Sequence, residues 1–141
     1  MILLDTDVLL EPLRPAPDPA VAAWLDAQHV ETLYLAALSV AEIQLGLARL
    51  PRGKRAETLR HEFERRILPL FMGHVLPFDA AAADAYAAVM TQAAAAGHAL
   101  DAIDGCIAAT ATAHGLAIAT RHPARFEAAG LTAIDPWQAA V

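Results

Sequence analysis

The chain has a single cysteine, Cys106, in 141 residues. An intramolecular disulfide is therefore excluded, and the composition fits a reducing, cytoplasmic setting. Basic residues are also scarce. Ten Lys and Arg stand against 16 Asp and Glu, a formal net charge of −6. That balance argues against a general electrostatic affinity for nucleic acid. No apolar run reaches the roughly 20 residues that cross a bilayer, so no membrane segment is expected. The N-terminus lacks the basic region and long apolar stretch of a signal peptide. A Gly-rich phosphate loop and a nucleophile elbow are both missing. His29, His61, His74, His98 and His114 show no spacing typical of a zinc site. Cys106 lies among small residues and is expected to pack, not to act as a nucleophile.

What is present is mostly apolar. The hydrophobic share is 57%, much of it Ala, which favours helix. The length suits one domain, residues 1–141, with a core of its own. The apolar excess also suits a buried interface with a partner or a second copy. Trp24 and Trp137 are expected as core or interface anchors. Seven of the ten Lys and Arg residues fall between Arg49 and Arg66, among Glu57, Glu62 and Glu64. A solvated helix with ion pairs such as Arg60 with Glu64 explains them, and a local phosphate-contacting surface is the alternative.

Strand and helix signals alternate along the chain. "ILL" from Ile2 reads as a short buried strand, and "VLLEPL" as a helical turn closed by Pro12. Asp18 caps a helix with Pro19 at its first position, running to about His29. "TLYLAAL" is a second strand, and Ser39 starts a helix to about Leu50. "AETLRHEFERRILPLF" reads as one helix and "HVLPF" as a strand. Asp79 caps a long helix that stops at Gly97, and Asp101 begins another that Gly115 ends. "LAIAT", the short helix "PARFEAAG" and the strand "LTAI" complete the pattern. Apolar strands between helices imply a central parallel sheet flanked by helices, an α/β fold of Rossmann-like type. In such sheets, sites form outside the carboxyl ends of the strands.

That rule selects carboxylates. Asp5 ends the first strand. Glu42 lies on the first turn of the helix after the second, and Asp104 on the first turn of the helix beginning at Asp101. Each has a structural explanation of its own: "SVAE" and "DAID" both read as helix caps, and Asp5 can bond within its own turn. All three nevertheless fall where the sheet rule puts a site. Converging acids repel unless a cation binds or their pKa values rise. An all-oxygen set selects Mg²⁺ or Mn²⁺ over zinc.

The segments "MILLDTDV", "LSVAEIQLGLARL", "VLPFDAAAADAYA", "LDAIDGCIAATATAHGLAIATRHPARFEAAGL" and "IDPW" resemble, in order, the PIN-domain ribonucleases. The likeness is to the toxins of bacterial VapBC toxin–antitoxin systems, especially the FitB-like branch, and covers nearly the whole chain. The resemblance implies a Rossmann-like PIN fold and a Mg²⁺-dependent endoribonuclease that hydrolyses RNA. It also implies a homodimer and a small VapB-like antitoxin that blocks the site and binds operator DNA. Asp5, Glu42 and Asp104 match the first three acids of the family site. Thr6 matches a polar residue beside the first acid.

The chain departs from the family at two positions. Asp7 stands where relatives usually have Asn. His122 stands where they commonly carry Asp or Asn as a fourth site member. Neutral His122 can ligate Mn²⁺, contact phosphate when protonated, or fill space as a loop residue. Arg121, beside the site, can meet a phosphate or form a salt bridge. Asp7, Arg121 and His122 are therefore accessory candidates, with Thr6. Two other readings remain: a catalytically weak interaction protein that keeps the antitoxin interface, and a DNA-directed nuclease with the same site.

Overall fold

In the computed structural model, which describes residues 1–139, the first strand is the centre of the sheet. Strand β1 (Ile2–Leu4) pairs in parallel with β2 (Leu33–Ala36) on one side and β4 (Ala117–Ala119) on the other. Strands β3 (Val75–Leu76) and β5 (Ala133–Ile134) complete the parallel order β3-β2-β1-β4-β5. Seven α-helices among the described residues accompany them: α1 (Thr6–Leu10), α2 (Pro19–Asp26), α3 (Ala37–Ala48), α4 (Lys54–Glu62), α5 (Ala80–Ala95), α6 (Ala102–Ala113) and α7 (Pro123–Ala128). No helix among the described residues is long and apolar enough to cross a membrane.

Alternation along β1 divides the interior. Leu3 packs with Val89 and Ala93 of α5, Ile107, Ala108 and Ala111 of α6, and Phe126 of α7. Leu4 faces the other way, into Val8 of α1, Trp24 of α2, Ile43 of α3, and Phe63 and Phe71. Both leucines are 0% exposed, which is why the strand reads as an unbroken apolar run. Burial of each contributes about 1.5–3 kcal/mol. Gly105 brings α6 onto α5. A Cβ there would press into the Met90 thioether and stand 3.1 Å from Tyr86 Cε1.

Several helix starts follow the sequence. Asp18, Asp79 and Asp101 each accept a backbone N–H in the first turn of the next helix. Gly97 and Gly115 have φ of 85° and 66° and end α5 and α6. Other boundaries differ. The helix expected to run to His29 stops at Asp26, and Val30–Thr32 form a 3-10 turn into β2. The single helix expected over 56–71 is three pieces: α4, a wider π turn Phe63–Ile67, and a 3-10 turn Leu68–Phe71. Pro69 supplies no amide to an α-helical ladder, and Phe63 and Phe71 anchor the irregular stretch in the core. The ion pair in this region is Arg66 with Glu62, at 3.6 Å, not Arg60 with Glu64.

The start of α3 overturns the capping-box reading. The strand passes into the helix without a loop, because Ala36 and Ala37 continue as good helix formers. Ser39 is therefore the third helical residue. It is 0% exposed, and its hydroxyl has no partner among the described residues. Glu42 moves to the second turn. A buried, unbonded hydroxyl is a cost, so Ser39→Ala should leave stability unchanged or raise it by about 1–3 kcal/mol. Urea unfolding measures this, and a loss of about 1 kcal/mol would restore the cap.

Candidate active site

From β1 the chain builds outward through β2 and β3, then returns to the far side of β1 for β4 and β5. Parallel sheets open a crevice at the carboxyl ends of the strands where the order reverses. Asp5 follows β1 at that point, and its N–H donates to Ala119 O at 2.9 Å. The residue is only 6% exposed. Its Oδ1 accepts from Thr6 N at 2.9 Å and its Oδ2 from the Thr120 hydroxyl at 2.8 Å. Burial pushes the Asp5 carboxyl up to about 6, against the pull of the Thr120 and Thr6 hydrogen bonds. The charges of Asp104 and Asp7 add to the rise.

Asp104 reaches the same place from the first turn of α6. Its N–H donates to Asp101 Oδ1 at 2.8 Å, so Asp101 is the helix cap. Its Oδ2 accepts from Arg125 Nη1 at 2.8 Å. Burial raises its carboxyl first and the Asp101 charge second, while Arg125 opposes both.

Glu42 is exposed, on the second turn of α3. The Thr6 hydroxyl donates to Glu42 Oε1 at 2.8 Å, linking it to the turn that holds Asp5. On the rim, His122 Nε2 is 3.7 Å from Asp7 Oδ2. The His122 N–H donates to Thr120 Oγ1 at 3.0 Å. Arg121 lies with its guanidinium carbon 4.8 Å from the centre of the Trp137 ring, a cation–π contact, and it forms no salt bridge among the described residues. Burial pushes the Cys106 thiol up, away from a reactive thiolate.

The structure thus brings Asp5 and Asp104 into mutual electrostatic reach and ties Glu42 in through Thr6. Among the described residues, no three His, Cys, Asp or Glu side chains are clustered tightly enough to hold an ion as they stand. The donor chemistry still fits a hard dication. Mg²⁺ is commonly bound through one or two carboxylates, with water and substrate phosphate completing the shell. Asp5 and Asp104 are the pair that could hold it. Two residues of this site escaped the sequence reading, Thr120 and Arg125. Thr120 follows β4 directly, so the strand-end rule already pointed to it. Arg125 carried no signal, because its partner lies 21 positions away.

The PIN domain family model matches residues 2–130, a span that holds every carboxylate named above. The chain belongs to the PIN-domain family. Among PIN-domain relatives, it is 51% identical over 140 residues to VapC ribonuclease Y4jK of Sinorhizobium fredii, covering 99% of this chain and 100% of that protein. It is 48% identical over 137 residues to Toxin FitB of Neisseria gonorrhoeae, covering 97% and 99%. A chain in the structure of FitAB bound to an IR36 DNA fragment superimposes with a TM-score of 0.95 at 46% identity, covering 100% and 99%.

The raised Asp5 pKa has a consequence for the stability of this PIN domain without metal. The folded value, about 6, lies above the ordinary 3.8. The Asp5 contribution is therefore complete below pH about 4 and is lost as pH rises through about 6, a change of about 3 kcal/mol. Asp5→Asn does not ionise. In EDTA it should be more stable than the parent at pH 8, with the gain shrinking towards pH 4. Urea unfolding of both proteins at the two pH values measures it, and a pH-independent difference would contradict the buried, destabilised carboxylate.

Proposed function

We propose that this chain is a metal-dependent endoribonuclease, the toxin of a toxin–antitoxin pair, with residues 1–141 forming a single PIN domain. The observation that carries the reading is the buried Asp5 carboxylate within electrostatic reach of Asp104 at the switch point of the sheet. A dication would relieve both the repulsion between two acids so placed and the cost of an ionised, buried Asp5. Asp5 and Asp104 would hold Mg²⁺ or Mn²⁺, with Glu42 acting directly or through water. The ion would supply a Lewis acid that lowers the pKa of water and offsets charge on the phosphate.

The remaining work falls to the protein. Thr6 N–H and the Thr120 hydroxyl aim the Asp5 carboxylate and fix its two oxygens. Asp101 holds the start of α6, and so the position of Asp104. The Thr6 hydroxyl holds one oxygen of Glu42, leaving the other to orient a water towards the phosphodiester. Asp7 and His122 form the rim, where a rise in negative charge would repel an RNA backbone.

RNA is favoured over DNA by the 51% identity to a protein named a VapC ribonuclease. A partner is favoured by the likeness to the FitAB complex on DNA. On this reading a small VapB-like antitoxin binds operator DNA and covers the acidic cleft, with a basic residue facing the carboxylates. The toxin is a homodimer of the cytoplasm.

Purified protein incubated with total RNA and with matched DNA, in Mg²⁺, Mn²⁺ or EDTA, tests the activity. RNA should be cut only with metal. Asp5→Asn and Asp104→Asn should each reduce the rate at least about 100-fold while the fold is retained. Full activity of both variants would remove the assignment. Cleavage of DNA alone would change the substrate, and cleavage of neither would favour an interaction protein. Sedimentation at micromolar concentration checks assembly, where a monomer alone would contradict the dimer.

A further inference from the structure

Arg125 touches the carboxylate site, yet the cleavage proposed above gives it no role. It sits on the first turn of α7, three residues after His122, and reaches across to α6. Its Nη1 lies 2.8 Å from Asp104 Oδ2, with the two side chains 40% and 19% exposed. The charged groups acting on Asp104 include Asp101, Arg125 and His122, and Arg125 is the one within hydrogen-bond distance of its carboxylate. Both Asp5 oxygens already accept hydrogen bonds. A dication approaching the pair thus meets a carboxylate that already has a cation on it.

We propose that Arg125 is the internal counter-ion of the metal-free site, and that it competes with a divalent ion for Asp104. The guanidinium and the ion seek the same negative charge, and two cations this close repel each other. Arg125 stabilises the acids when no ion is bound and weakens the ion when one is. It is a positioning residue that sets how readily the site loads. This rests on the reading of Asp5 and Asp104 as metal ligands. The opposite role is also chemically sound: Arg125 could hold one oxygen of Asp104 so that the other is aimed at the ion. The two roles differ in sign.

Calorimetric titration with Mn²⁺ separates them without reference to RNA cleavage. The parent is compared with Arg125→Met, Arg125→Gln, Arg125→Lys and Asp104→Asn. Competition requires both neutral variants to bind Mn²⁺ more tightly, by about tenfold for a partly exposed pair, and the Lys variant to stay near the parent. Thermal melts should show the Met and Gln variants destabilised in EDTA and restored towards the parent by Mn²⁺. Unchanged or weaker Mn²⁺ binding by the Met and Gln variants, with binding lost in Asp104→Asn, would overturn the competition. Parent-like binding by Asp104→Asn would instead overturn the metal-ligand reading beneath it.

Discussion

A carboxylate that ends a buried strand has to find donors, and at Asp5 they arrive from two directions. Thr6 N–H is free to donate because α1 begins immediately and its first amides have no partner within the helix. Thr120 is in place because β4 lies beside β1 with Leu4 opposite Ala119, so the next residue on each strand meets the other. The register that buries Leu3 and Leu4 on opposite faces is the register that satisfies Asp5. A slip of one residue would turn the leucines over and separate the hydroxyl from the acid. Packing and site geometry are one constraint.

From Asp5 the pairings spread outward in short steps. Thr6 leads to Glu42 on α3, Thr120 leads to the backbone of His122, and α7 returns through Arg125 to Asp104. Each acid of the site is held by a donor from a different segment, so the cluster does not depend on any one loop. Negative charge is concentrated where two helices, α1 and α6, begin, and their free amides favour it. On the proposed reading, a cation bound there would bridge this negative charge to an anionic substrate.

Most of the sheet was legible in the sequence because buried parallel strands are apolar runs and the intervening helices announce themselves with Asp caps and terminal glycines. Asp79 and Asp101 did what their positions implied. The start of α3 was hidden for the same reason that β2 was visible: Ala36 and Ala37 suit a buried strand end and a helix equally, so no polar residue marks the change. Ser39 looked like a cap because Glu42 follows at the right spacing, but the helix had already begun. Asp5 and Asp104 could be selected as candidates by their distance from a strand end and a helix start, whereas Glu42 was selected from a helix start placed two residues too late. Arg125 could not, since its meeting with Asp104 depends on how α7 lies against α6. The stacking of Arg121 on Trp137 depends likewise on where the chain goes after β5.

Gly105 is the residue next to Asp104, and it is where α6 fits against Tyr86 and Met90 of α5. A neighbour of the site is thus set by a fit remote from its chemistry. Over evolutionary drift, positions 86, 90 and 105 are expected to change together or hardly at all. A bulkier residue at 105 calls for a smaller one on α5, or α6 shifts and carries its carboxylate with it. Covariation within this trio would be a record of the site's geometry written in residues that never meet a substrate.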